Sequence, residues 1–230
     1  MKRYLITGAS RGIGRAIAEK LAGPGVTLLL HGRDREALAQ SCRSAEAKSA
    51  TAISLAYDLS EPAEIQKMVD EIGAAPLDAL INNAGIAYVK PLESLTFDEW
   101  QRTLAVNVTA PFLLTQKLLP RLSAGSTIVN ILSIAARTGF PNWSSYCMSK
   151  FALEGFSQAI REELRPRGIR VLNVYPAATA TEIWNNVEGE WPRGKMLSAD
   201  EVGDAVAYAL SRPSAVAVEN IQLQNVSGTL

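Results

Sequence analysis

Cysteine and histidine are scarce: two cysteines, Cys42 and Cys147, and one histidine, His31, among 230 residues. Two cysteines cannot build a disulfide framework, and these two lack metal-ligand spacing, so no metal site, reduced thiols and a cytoplasmic protein are expected. A Ser-His-Asp hydrolase would have to use His31, and the G-x-S-x-G elbow such enzymes carry on an α/β sheet is missing. Net charge is missing too. The 23 Lys and Arg offset the 23 Asp and Glu, so no basic face is expected for nucleic acid or an anionic membrane. No apolar run approaches the length of a membrane span. The N-terminus reaches a glycine-rich stretch within seven residues, so no signal peptide is expected. The G-x-x-x-x-G-K-[ST] signature of nucleotide-hydrolysing enzymes is absent as well.

What is present alternates. Apolar, β-type runs fall at 3–7, 26–31, 51–56, 77–82, 126–131, 169–175 and 219–224. Several are continuous, as parallel strands buried on both faces require. Helical patterns separate them at 13–22, 34–47, 61–72, 98–121, 144–165 and 199–211. Asp34 and Ser60 stand where N-caps would, and Ser198-Ala199-Asp200-Glu201 fits a capping box. This order predicts one α/β domain over residues 1–230. The domain is a Rossmann-like, doubly wound parallel sheet of seven strands with helices on both faces, in the order 3-2-1-4-5-6-7. Residues 176–197 break the pattern. They carry Trp184, Trp191 and Pro192 and read either as a functional loop or as a plain surface excursion.

Thr7-Gly8-Ala9-Ser10-Arg11-Gly12-Ile13-Gly14 joins the first strand to the first helix. Unpaired N–H groups at such a helix start carry partial positive charge and suit a phosphate or pyrophosphate, and glycines let the backbone approach it. The spacing is T-G-x-x-x-G-x-G rather than G-x-G-x-x-G. Tyr146 and Lys150 stand four apart on one helical face, where an ammonium would lower the pKa of a phenol and fit it for proton transfer. Taken alone, such a pair would also fit a solvated helix surface. Ser133 follows the run Thr127–Leu132, at the carboxyl end of a strand, where open α/β sheets bind ligands. Asn82-Asn83-Ala84-Gly85 ends the fourth strand on the same edge. Asn107, inside a long helix, either points to solvent or makes a specific hydrogen bond.

This ordered set resembles the short-chain dehydrogenase/reductase family, along nearly the whole chain. The resemblance rests on residues 7–14, Asp58-Leu59, Asn82 to Gly85, Asn107, Ser133, Tyr146 to Lys150, and Pro176. It implies hydride transfer between a nicotinamide cofactor and a small carbonyl or alcohol substrate. Tyr146 would be the acid/base, and Lys150 would lower its pKa and hold the nicotinamide ribose. Ser133 would polarise the substrate oxygen, and Asn107 would hold a water linking Lys150 to solvent. Gly8, Ser10, Arg11, Gly12, Ile13 and Gly14 would cradle the dinucleotide. Asp58 and Leu59 would meet the adenine, Asn83, Ala84 and Gly85 the ribose side of the cleft, and Pro176 and Thr181 the nicotinamide. The family usually has Pro-Gly where this chain has Pro176-Ala177. If that turn needs positive φ, Ala177 strains it by about 1 kcal/mol.

The second strand ends His31-Gly32-Arg33, with no acid at its tip to accept from a ribose 2′-hydroxyl. Arg33, with Arg11 from the other side, suits a 2′-phosphate, so NADP(H) is expected over NAD(H). Residues 134–140 and 182–197 are expected to shape a partly hydrophobic pocket. Apolar residues on more than one side of 98–121 and 144–165 suggest, with the resemblance, a homodimer or homotetramer; the alternative is a helix sandwiched within one subunit. A rival of another class is an NADP-binding sensor or scaffold without turnover.

Overall fold

The computed structural model describes residues 1–187, 191–226 and 228. Seven parallel strands form one sheet: β1 (Lys2–Ile6), β2 (Val26–His31), β3 (Thr51–Leu55), β4 (Ala79–Asn82), β5 (Thr127–Ile131), β6 (Arg170–Pro176) and β7 (Asn220–Leu223). Their order is β3-β2-β1-β4-β5-β6-β7, as the sequence predicts. The continuous apolar runs serve two cores at once. Leu5 and Leu29 pack with Ile65, Leu114 and Ile160 on one face. Their neighbours Ile6, Leu28 and Leu30 pack with Ile17, Leu38 and Val206 on the other. Period-two alternation sends successive side chains to opposite faces, so a doubly covered strand needs apolar residues throughout.

Helices α1 (Gly12–Leu21), α2 (Arg35–Glu46) and α7 (Ala199–Leu210) cover the second face. Helices α3 (Pro62–Ile72), α5 (Ala110–Leu118) and α6 (Ser144–Leu164) cover the first. Asp34 caps α2 by accepting from the Glu36 and Ala37 N–H groups, and Ser198 and Glu201 form the capping box of α7. Ser60 does not cap α3. Glu61 occupies that position, Pro62 opens the helix, and Ser60 instead gives both its N–H and its hydroxyl to Asp58 Oδ1. Asp58 draws Ser60 into a local turn, and Pro62, which has no N–H, needs no cap partner.

The single helix expected over 98–121 is divided. Helix α4 (Phe97–Leu104) runs into a π-turn, Ala105–Thr109, before α5, and a 3-10 turn, Leu119–Arg121, closes it. Pro111 is the cause: it has no N–H to give the Asn107 carbonyl one turn back, and the backbone widens there. The loop after β6 also holds order. Short 3-10 turns cover Glu182–Asn186 and Arg193–Lys195, and Ala180 and Leu197 N–H groups bond across its base to Leu197 and Ala178 carbonyls. Residues 188–190, within the loop expected to shape the pocket, lie outside the described residues. No described helix is long and apolar enough to cross a membrane, and the described residues contain no cluster of three potential metal-ligating side chains.

Candidate active site

The sheet changes direction of growth between β1 and β4, and the carboxyl ends of those two strands open the crevice where such sheets bind ligands. Thr7 and Asn83 tie the two ends together. The Thr7 hydroxyl donates to the Ile81 carbonyl and accepts the Asn83 and Ala84 N–H groups, while Asn83 Nδ2 donates to the Thr7 and Gly8 carbonyls at 2.9 and 3.1 Å. Gly8 has φ +66°, and a Cβ there would come within 2.9 Å of Ala84 Cα. A Cβ on Gly14 would come within 2.2 Å of the Gly8 carbonyl oxygen, so only glycine admits this turn. Helix α1 then starts with no side-chain cap and no acid in its first turn. Its first residues, Gly12 and Ile13, line a cleft of about 470 Å3, together with Gly8, Ser10 and Arg11. A glycine cradle and an uncapped helix start beside an open cleft fit a dinucleotide.

The same cleft is also lined by Gly32, Arg33, Asp58, Leu59 and Arg102, away from the second cavity described below. The Arg33 side chain is 54% exposed and its guanidinium stands 3.9 Å from Asp58 Oδ2; Arg102 reaches the same oxygen at 3.3 Å. Burial pushes the Asp58 carboxyl up, but bonds from Ser60 and the two arginines outweigh it and hold the pKa below its usual value. Both carboxylate oxygens are therefore engaged. Asp34 is committed to capping α2, so no carboxylate occupies the β2 tip.

The second cavity, of about 350 Å3, adjoins the first through Ile13, Asn83, Gly85 and Thr181. Ser133, Tyr146 and Lys150 share its wall with Pro176. Ser133 comes from the end of β5, where its Oγ accepts the Ala135 N–H at 3.1 Å. Lys150 Nζ is buried and donates to the Ile131 carbonyl at 2.8 Å; burial lowers its pKa to about 8. Burial pushes the Tyr146 phenol up to about 12, against a side-chain hydrogen bond with Ser133 that lowers it. Lys150 is not among the groups that set this shift: its ammonium is tied to the Ile131 carbonyl, 5.5 Å from the centre of the tyrosine ring, and desolvation is the largest cause.

Of the two alternatives open for Asn107, solvent or a specific hydrogen bond, the structure shows the second. Its Oδ1 accepts the Ile86 N–H, and its Nδ2 donates to the Ile86 carbonyl and to Ser149 Oγ. A side chain at Gly85 would meet both Asn107 Oδ1, at 3.5 Å, and Lys150 Nζ, at 3.8 Å, and Asn107, like Gly14, lines neither cavity. The condition set for strain at Ala177, a positive φ, is not met. Positive φ among described non-glycine residues is confined to Ser49 and Asn142, and the Ala177 N–H joins the ladder to the Leu223 carbonyl. The turn here needs no glycine.

Four residues were given no site role from the sequence. Thr7 is an anchor of the glycine loop; His31 braces it, accepting the Gly8 N–H at Nδ1. Arg102 reaches Asp58 from α4, with no local signal that a basic helix residue faces it. Trp143 packs on Tyr146 with ring centres 5.5 Å apart, and its place three residues before Tyr146 was the available clue.

Comparison with known proteins follows this geometry. The family model for short chain dehydrogenase matches residues 2–191. L-2,3-butanediol dehydrogenase of Corynebacterium glutamicum is 33% identical over 93% of this chain and 86% of that protein. Sepiapterin reductase of Chlorobaculum tepidum is 33% identical over 98% of this chain and 97% of its own length. Among solved structures, an alcohol dehydrogenase of Thermococcus sibiricus complexed with 5-hydroxy-NADP superposes with a TM-score of 0.90 at 26% identity, covering 98% and 97% of the two chains. A short chain dehydrogenase of Burkholderia cenocepacia in complex with NADP gives 0.89 at 32% identity, covering 97% and 96%.

Proposed function

The chain belongs to the short-chain dehydrogenase family, and from that footing we propose that it is a single-domain NADP(H)-dependent oxidoreductase interconverting a carbonyl compound and a secondary alcohol. The observation that carries this reading is the convergence of Ser133, Tyr146 and Lys150 on one cavity that opens into the glycine-lined cleft. A binder without turnover has no need of that set. When bound, the cofactor supplies or accepts the hydride. Ser133 donates a hydrogen bond to the substrate oxygen and orients it. Tyr146, protonated at neutral pH with a pKa near 12, gives that oxygen its proton in the reductive direction. Lys150, mostly charged at pH 7 with a pKa of about 8, keeps a positive charge beside the reacting centre. Asn107 positions this machinery by joining Ile86, after β4, to Ser149 on α6.

NADP(H) over NAD(H) is supported by the acid-free β2 tip and by Arg33 and Arg102 in the cleft, where a 2′-phosphate would compete with Asp58 for both guanidiniums. The NADP held by the solved relatives agrees with this reading. Free, buried Cys42 and Cys147 suit a reducing compartment, and we place the enzyme in the cytoplasm.

The decisive experiment is Tyr146→Phe assayed with NADPH against a panel of carbonyl compounds. Turnover should fall at least ~10²-fold while cofactor binding stays nearly unchanged, the scale of a lost general acid. A Phe variant at wild-type rate would remove Tyr146 from the chemistry. A wild type that binds NADPH and oxidises none of it across the panel would favour a sensor or scaffold.

A further inference from the structure

Three of the chain's four tryptophans line the catalytic cavity. Trp143 stands edge-on to Tyr146 at 5.5 Å, Trp184 edge-on to Trp143 at 5.5 Å, and Trp191 lies tilted on Trp184 at 4.7 Å. The four rings make one continuous wall that starts at the proton donor. All three indoles remain partly exposed, leaving apolar surface that a ligand can cover. Trp184 turns its N–H away, donating to the Thr179 carbonyl at 2.9 Å, so that donor is already spent. Phe140 and Ile183 extend the apolar lining.

Charge is scarce in this cavity. Besides Tyr146, the one ionisable side chain among its described lining residues is Lys150, whose ammonium is held by the Ile131 carbonyl. A carboxylate or phosphate on the substrate would leave water for a wall without a free counter-ion. Hydrogen-bonding groups suited to a single carbonyl oxygen, Ser133 and Tyr146, adjoin the indoles.

We infer that the substrate is a neutral aryl ketone, or the matching benzylic alcohol, whose ring lies against the Trp143–Trp184–Trp191 wall while its oxygen meets Ser133 and Tyr146. The inference rests on the oxidoreductase reading above. In reduction the carbonyl carbon gains a hydride from the reduced nicotinamide cofactor and the oxygen gains the Tyr146 proton. The products are the secondary alcohol and the oxidised cofactor, and the phenolate recovers its proton from water. Edge-to-face and offset contacts favour a flat aromatic ring over a saturated one of the same outline.

The test uses three methyl ketones with NADPH: 2-acetylnaphthalene, 2-acetyldecalin and 6-acetyl-2-naphthoate. For the wild type, kcat/KM for acetylnaphthalene should exceed that for the decalin by about tenfold or more, as two or three ring contacts at a few-fold each require. The naphthoate should fall lower still. Trp184→Leu and, separately, Trp191→Leu should each cut the acetylnaphthalene value several-fold more than they cut the decalin value, so that the preference between the two ketones shrinks. Equal or better turnover of the decalin or the naphthoate would overturn the aryl inference while leaving the oxidoreductase reading intact. If none of the three is reduced, calorimetric titration of the NADP-loaded protein with each decides. Tighter binding of acetylnaphthalene, weakened by Trp184→Leu, upholds the aryl site, and equal binding of the three refutes it.

Discussion

His31 Nδ1 accepts the Gly8 N–H at 3.3 Å while Nε2 donates to the Tyr57 carbonyl at 3.0 Å, a pairing that needs the neutral ring with its proton on Nε2. Burial lowers its pKa from 6.5 to about 4, against the raising effects of the Tyr57 carbonyl and Asp58. The unfolded chain therefore takes up a proton near pH 6.5 that the folded chain refuses until about pH 4. The stability owed to the neutral ring is complete above the unfolded pKa and is lost progressively as pH falls between these values, by about 3 kcal/mol in all. Because the chain has one histidine, its ring-proton resonances can be followed by NMR without assignment. A midpoint near 4 is expected, and one near 6.5 would mean the ring is not held as described. Arg33 gives a second prediction at this scale. One charge-assisted contact is worth ~1.5–3 kcal/mol, so Arg33→Ala should weaken NADPH by about 10- to 150-fold and leave NADH little changed. Titration with both cofactors at fixed salt checks it, and equal losses would deny Arg33 the 2′-phosphate. Arg33 was legible because it follows a strand end next to the glycine loop in the fold. Arg102 was not, since only the route of the chain through α4 brings it to Asp58.

Between strands, one row of asparagines crosses half the sheet. Asn82 on β4, Asn130 on β5, Asn173 on β6 and Asn220 on β7 are register partners. Asn82 Nδ2 donates to Asn130 Oδ1 at 2.9 Å and Asn130 Nδ2 to Ser157 Oγ of α6 at 2.9 Å. Ser157 bonds in turn to Asn173 Oδ1, and Asn173 Nδ2 donates to the Tyr175 hydroxyl, which reaches Asn220 Oδ1 at 3.1 Å. The row lies one residue before Ile131, whose carbonyl holds Lys150, and it pins α6, which carries Tyr146. Asn130→Ala would leave Asn82 Nδ2 and Ser157 Oγ each one partner short among buried residues, at a cost of about 2–4 kcal/mol. For a protein of this size that is a melting point lower by roughly 5–15 °C. Thr115→Val is the contrast. Thr115 Oγ1 is buried without a hydrogen-bond partner, so its loss should be neutral or slightly stabilising. Calorimetry of both variants reads the difference, and an Asn130→Ala melt within a degree or two of wild type would show that the row bears little. The strands themselves were visible as apolar runs. The row was not, because no local pattern tells which asparagine will stand opposite which. The π-turn escaped for a related reason: Pro111 lay in plain view, but the hydrophobic spacing around it still reads as one helix.

At the scale of the whole molecule, strand order was legible because strand–helix alternation leaves few right-handed ways to wind a sheet around a glycine turn. What faces outward was only partly so. Of the apolar residues that give α4–α5 and α6 a second greasy side, Val106, Leu114, Leu153 and Ile160 are buried within the subunit, so the sandwiched alternative accounts for them. Phe112 and Phe151 are not, at 41% and 48% exposed, and Phe112 stacks edge-on with Phe156 at 6.0 Å. These two helices thus present aromatic rings to solvent, as Phe97 and Tyr208 also do elsewhere on the surface. Covering such a face gains about 25 cal/mol for each Å2 of apolar area, and a stable association generally buries upward of ~1,000 Å2 in total. A second copy of the chain offers the same face by symmetry, which makes a two-fold pairing the simplest way to cover it. We propose a homodimer, or a tetramer built from it, with Phe112 and Phe151 at the contact. Light scattering at micromolar concentration should return at least twice the chain mass. Phe112→Glu combined with Phe151→Glu should shift it to the monomer, because two carboxylates per subunit would have to be buried without partners. A monomer mass for the wild type, or a double variant that assembles as the wild type does, would rule this interface out.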